Sequence, residues 1–147
     1  MAPVKVVLLV LGILTAQVLI WIPIILWMKR RSAQLVASLR DELVGAGESP
    51  SRGPEAAVYR GGTHGYSKVK GNGVIALTAR RLVFRKLVGA GLEVPLDQVT
   101  GLREDKWFLR AYRGGRLHLI LQMKGGGEVG FMVADHAGWM AALHAMR

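Results

Sequence analysis

An unbroken apolar run extends from Val6 to Met28 without one charged side chain. At about 1.5 Å per residue, a helix of this length measures about 35 Å, which exceeds the roughly 30 Å hydrocarbon core of a bilayer. Trp21 and Trp27 suit the aromatic belt at a membrane interface. The pattern therefore predicts one transmembrane helix. A cleaved signal peptide is the alternative, but no small-residue cleavage site separates this run from the basic residues that follow.

The charges on either side of the apolar run predict its orientation. Lys29, Arg30 and Arg31 follow the run directly, whereas Lys5 and the amino terminus precede it. Basic residues next to a transmembrane helix tend to stay on the cytoplasmic side. We therefore expect a single-pass protein of the cell membrane, with the rest of the chain in the cytoplasm.

The basic cluster is followed by a segment with the apolar spacing of a helix and then by a segment rich in residues typical of linkers. Leu35, Leu39 and Leu43 recur every four residues, which predicts a juxtamembrane helix with Ser32 as its N-cap, or a continuation of the membrane helix. Residues 45–55 are rich in Gly, Pro and Ser, which predicts a linker. The expected organisation has three parts: a transmembrane helix with its basic flank (1–31), a juxtamembrane helix and linker (32–55), and a folded domain (56–147).

Beyond residue 55 the apolar period changes to two, as in β-strands. Seven strands are predicted: 56–60, 73–78, 81–87, 92–95, 99–104, 117–123 and 129–133. Because their connections are short, we expect an antiparallel sheet rather than a parallel α/β fold. Within the sixth strand, His118 alternates with leucines and is expected to point outward, with no special role.

The chain ends in a predicted helix for which Asp135 is the N-cap candidate. Four apolar residues fall on one face of this helix: Trp139, Ala142, Leu143 and Met146. We expect this face to cover one open end of the curved sheet.

Two stretches resemble a known family. Residues 71–84 read GNGVIALTARRLVF, and residues 94–99 read VPLDQV. This order of glycine, strand, Leu-Thr turn and second strand is similar to that of the GRAM-type bacterial members of the pleckstrin-homology-like superfamily. The resemblance implies a membrane-anchored α+β protein, with a seven-stranded antiparallel barrel or sandwich closed by a C-terminal helix. It also implies that basic residues around the first hairpins contact lipid headgroups.

The 147 residues include no cysteine, which excludes disulfides, thiolate catalysis and cysteine-ligated metals. The four histidines lack the spacing of a zinc motif, and no serine nucleophile elbow or phosphate-binding loop is present. We therefore expect neither catalytic residues nor a metal or cofactor, and the protein is not predicted to be an enzyme.

The chain carries 20 Lys and Arg against 10 Asp and Glu, a formal charge of +10. Candidate headgroup contacts are Lys68, Lys70, Arg80, Arg81, Arg85 and Lys86. The alternative is that these residues only keep the domain soluble near anionic lipid. Nucleic acid is not expected as a partner, because no row of stacking aromatic residues accompanies the basic ones.

These observations predict a noncatalytic adaptor in the membrane, which docks a protein partner or anionic lipid headgroups. The alternative is a structural accessory subunit of a larger membrane complex.

Overall fold

The computed structural model describes residues 2–112 and 114–146. One helix, α1 (Ala2–Gly45), joins the apolar run to the leucine repeat without a break, so the repeat continues the first helix. None of its most apolar stretch is buried, and the helix is long and apolar enough to cross a membrane. Because the helix is continuous, its apolar half is joined to the folded part of the chain without a flexible link.

Seven antiparallel strands form one curled sheet in the order β4-β3-β2-β1-β9-β8-β5. They are β1 (Arg52–Gly62), β2 (Gly71–Leu77), β3 (Arg81–Lys86), β4 (Leu92–Pro95), β5 (Val99–Asp105), β8 (His118–Met123) and β9 (Glu128–Val133). A 3₁₀ helix, Leu96–Gln98, precedes β5. The predicted seven-stranded antiparallel sheet is confirmed, although β1 begins four residues earlier than expected.

A small hairpin, β6 (Trp107–Phe108) and β7 (Ala111–Tyr112), lies outside the predicted set. Strands of two residues are too short to give a period-two signal, and this explains why the sequence did not reveal them. The hairpin connects β5 to β8.

The inner face of the sheet holds the main core, closed by the second helix, α2 (His136–Ala145). The rings of Tyr59, Phe84 and Phe131 pack with centroids 5.4–5.9 Å apart. Trp139 of α2 is fully buried against this core, and its indole N–H donates to Glu55. The predicted capping helix is therefore confirmed.

The N-cap of α2 is also the predicted one. The Asp135 carboxylate accepts a hydrogen bond from the backbone N–H of Gly138 at 3.1 Å, which satisfies one of the free donors in the first turn.

The second half of α1 packs on the outer face of the sheet. Leu35, Leu39 and Leu43 are buried in a separate cluster with three outward-facing side chains of β2 and β3: Val74, Ala76 and Val83. Both faces of these two strands carry buried apolar side chains, because the main core covers one face and α1 covers the other.

The segment expected to be a flexible linker is short and fixed. The backbone N–H of Glu48 donates to Leu43 at 2.8 Å, and its carboxylate accepts hydrogen bonds from Arg81 and Thr78. Gly47 has φ +73°, a conformation that glycine adopts readily at the end of a helix. The ion pair with Arg81 therefore fixes this segment as a turn between α1 and β1, where a flexible linker was expected.

His118 is expected to point outward, and its side chain is nonetheless fully buried. It does lie on the outer face, as the alternation predicts, but the β6–β7 hairpin covers that face and the Phe108 ring lies 6.0 Å from the imidazole. Arg60 approaches its Nε2 at 3.4 Å and the Asp105 carbonyl accepts from its Nδ1 at 3.2 Å. Burial lowers the pKa of His118, which favours the neutral ring.

Candidate functional site

The apolar half of α1 ends beside two loops of the sheet. Ile24, Trp27 and Met28 line a cleft together with the ends of the β1–β2 loop (63–70) and the β3–β4 loop (87–91). Arg31 donates from Nε to the Leu87 carbonyl at 3.0 Å, which fixes the helix against the second loop. If the apolar run spans a bilayer, both loops therefore lie at its surface.

The β1–β2 loop presents two basic side chains around an exposed valine. Lys68 and Lys70 are exposed, and Val69 between them is 67% exposed. The loop has internal support, because the Tyr59 hydroxyl donates to the Ser67 carbonyl at 2.6 Å and Lys86 Nζ donates to the Val69 carbonyl at 2.9 Å. Burial raises the pKa of Tyr59 to about 12, so this hydroxyl remains a donor at neutral pH.

The tip of the β6–β7 hairpin reaches the same place. Leu109 and Arg110 line a hollow with Lys68 and Lys70. A Cβ on Gly61 would lie 2.9 Å from the Leu109 side chain, so the absence of a side chain there permits the close approach. The hairpin therefore adds an apolar and a basic side chain to those of the loop.

We call this surface the exit rim; it consists of Lys68, Val69, Lys70, Val88, Leu109 and Arg110. Val88 is 73% exposed on the β3–β4 loop. Exposed apolar side chains interspersed with basic ones are typical of surfaces that sit in a membrane interface. Of the six residues, the sequence indicated only Lys68 and Lys70. The other four are three apolar residues and one arginine in loops, a combination too common in sequences to identify a site.

The structure does not bring the six sequence-predicted basic residues together. Arg81 pairs with Glu48 and Glu93, both at 2.7 Å, and Arg85 pairs with Glu42 at 2.9 Å and Glu93 at 3.0 Å. Hydrogen bonds from Arg81 lower the pKa of Glu48, and those from Arg85 and Arg81 lower the pKa of Glu93. These arginines hold α1 and β4 to β3, and their charge is neutralised within the protein.

The remaining two predicted residues also differ from Lys68 and Lys70. Lys86 is buried and supports the β1–β2 loop, with its ammonium 5.5 Å from the centre of the Tyr59 ring. Arg80 is exposed at the β2–β3 turn, next to Arg81 and thus beyond the C-terminal end of α1. At 1.5 Å per residue, that end lies about 25 Å along the helix from Met28.

The membrane-flanking residues predicted from the sequence all belong to α1. Trp21 and Trp27 are each at least half exposed. Lys29 and Arg30 follow on the next turn, and Arg31 makes the contact with the β3–β4 loop described above.

No protein-family model matches the chain, and no curated protein does. Among solved structures it is similar to the C-terminal domain of an unknown protein from Leishmania infantum, with 13% identity and a TM-score of 0.55, over 75% of this chain and 94% of that one. It is also similar to the Vps36 N-terminal PH domain, with 19% identity and a TM-score of 0.47, over 69% of this chain and 80% of that one. A structure from a systematic screen for protein–lipid interactions in Saccharomyces cerevisiae gives 13% identity and a TM-score of 0.35, over 63% and 91%. At these identities the similarity concerns the fold alone.

Proposed function

We propose that this chain is a noncatalytic single-pass membrane protein whose cytoplasmic, pleckstrin-homology-like domain acts as an adaptor for protein partners or anionic lipid headgroups. The observation that carries the proposal is the position of the exit rim beside the end of the apolar helix. A helix that passes from the bilayer onto the outer face of the sheet keeps this rim at the membrane surface.

The charges of the rim suit anionic headgroups. Among residues 2–112 and 114–146, no ion pair includes Lys68, Lys70 or Arg110. Each Lys or Arg near an anionic membrane surface contributes about 1 kcal/mol of binding free energy. Because the helix holds the rim in place, even weak contacts of this kind are occupied at high effective concentration.

A second surface supports a protein partner. Trp107 and Tyr112 are about half exposed on the β6–β7 hairpin, and their ring centroids lie 5.1 Å apart. Tyr and Trp are enriched in protein interfaces, where a large rigid side chain is buried at low entropic cost. Docking of a protein at this pair is compatible with an adaptor and equally with the alternative role of an accessory subunit.

Headgroup binding is tested with a soluble fragment that begins at Ser32 and retains the leucine cluster. We expect it to cosediment with vesicles of phosphatidylglycerol and not with phosphatidylcholine, and binding should weaken as salt rises. Replacing Lys68 and Lys70 together by Gln should remove about 2 kcal/mol of binding free energy, which corresponds to about 30-fold in affinity. The control is Arg80→Gln, which removes one exposed charge away from the rim and should change affinity by less than about twofold. Equal effects of the two charge removals would contradict a headgroup site at the rim.

The cytoplasmic orientation is tested by a C-terminal reporter that is active only in the cytoplasm. We expect activity in the full chain, because Lys29, Arg30 and Arg31 outnumber the two positive charges before the apolar run, Lys5 and the amino terminus. Replacing these three residues by Gln should give a mixed orientation. A reporter that functions only outside the cytoplasm would reverse the assignment.

A further inference from the structure

An apolar groove lies between α1 and the outer face of the sheet. Met28, Lys29 and Ser32 form its helical wall, and its volume is about 380 Å³, within the range of small-molecule sites. The floor includes Ala56 and Val58 of β1, Met132 of β9, and Ala134, which follows β9 directly.

The groove lies between two elements, α1 and the β6–β7 hairpin, that each cover a part of the outer face of the sheet. On one side, the leucines of α1 cover Val74 of β2, and on the other side the β6–β7 hairpin places Phe108 against Gly130 of β9. Between them, Val58 and Met132 are direct partners across β1 and β9. Met132 is only 5% exposed and Val58 is half-buried, whereas Ala56 and Ala134 beside them are exposed, so the strip is apolar and only partly covered.

The groove is continuous with the surface of the apolar helix. Met28, Asn72 and Leu87 line both this groove and the cleft that contains Ile24 and Trp27. An apolar path therefore leads along α1 from the membrane segment, past Met28, to Met132 on the sheet. The acyl chain of a bilayer lipid is flexible and apolar, and it fits such a path.

Two cations and no anion line the groove. Lys29 comes from α1 and Arg116 from the β7–β8 connection, and no Asp or Glu is among the lining residues. Within residues 2–112 and 114–146, neither cation takes part in an ion pair. Lys29 is also the first residue after the apolar run, at the depth where phosphates of a bilayer lie.

We propose that the groove binds one anionic phospholipid from the adjacent leaflet, with an acyl chain along Val58 and Met132 and its phosphate between Lys29 and Arg116. This inference rests on the proposed membrane span, and it adds a discrete lipid site to the headgroup contacts of the exit rim. The bound lipid fills the gap between α1 and the sheet, so it acts as a structural ligand of the helix–domain junction.

The test uses the full chain reconstituted in nanodiscs that contain phosphatidylglycerol with a photoreactive diazirine near the end of one acyl chain. After irradiation, adducts are mapped by mass spectrometry. We expect adducts on peptides that carry Val58 and Met132, in addition to those on residues 6–28. Adducts confined to residues 6–28 would overturn the proposal, whether the groove is empty or holds a protein.

Variants test whether the adducts on the Val58 and Met132 peptides, which we call sheet adducts, arise in the groove. Lys29→Gln and Arg116→Gln should each reduce them about fivefold, while Arg40→Gln, an equal charge change on an exposed position of α1, should leave them unchanged. Ala134→Trp, at the exposed edge of the floor, should abolish them without lowering the melting temperature. Sheet adducts that persist in all of these variants would contradict the site.

The two proposals fail separately. Replacing Lys68 and Lys70 by Gln should leave the sheet adducts in place, since neither residue lines the groove. Loss of the sheet adducts in this variant would show that the groove is not a site of its own. If the rim variant binds vesicles as well as the unmodified fragment, the rim proposal fails while sheet adducts still support the groove.

Discussion

Trp139→Ala is expected to lower the free energy of unfolding of the folded part by about 3–5 kcal/mol, the usual cost of deleting a large buried aromatic side chain. Trp139 is fully buried at the end of the curled sheet. The change also removes the indole N–H that Glu55 accepts and the ring beneath the Arg52 guanidinium, 5.5 Å away. Since small domains have only about 5–15 kcal/mol in total, the variant should lose much of its stability.

The measurement is urea unfolding of the fragment that begins at Ser32. His144→Ala, on the exposed side of the same helix, is the control and should leave the midpoint nearly unchanged. An unaltered midpoint for Trp139→Ala would mean that α2 does not close the core.

Leu39→Ala and Leu43→Ala are each expected to lower the free energy of unfolding by about 2–5 kcal/mol. Both leucines are buried between α1 and the outward-facing residues of β2 and β3. Ser38→Ala, on the exposed side of α1, is the control and should be nearly neutral. Stability that is insensitive to both leucines would show that α1 does not pack on the sheet.

The same packing predicts where a stable fragment begins. A fragment from Ala56 onward loses the leucine cluster, the Glu48–Arg81 pair and the first four residues of β1. We expect it to lack a cooperative unfolding transition, whereas the fragment from Ser32 should have one. We therefore propose that the folded unit begins before residue 56.

The local patterns predicted the main strands and both helices because each depends on a short stretch of sequence. The leucine repeat predicted a buried face, but its partner became visible only in the sheet, where Val74 and Val83 face α1. His118 shows the limit of alternation, which assigns a residue to a face but does not say whether another element covers that face.

The candidate site was predictable only in part. Lys68 and Lys70 were identified from charge and from the family resemblance. Arg81 and Arg85 were expected beside them, but acidic residues far along the sequence, Glu42 and Glu48, neutralise them in the fold. Ion pairs of this kind depend on tertiary packing, and no local sequence pattern predicts them.

The central claim is that α1 holds the exit rim at the membrane surface. Because the chain has no cysteine, a single Val69→Cys substitution gives a unique labelling site, and Ala79→Cys at the exposed β2–β3 turn gives its control. Each variant is labelled with an environment-sensitive fluorophore and reconstituted in vesicles that contain lipids with a quencher near the headgroup. We predict strong quenching at position 69 and little at position 79, which is fixed beyond the far end of α1. Equal quenching at the two positions, or stronger quenching at position 79, would contradict the account.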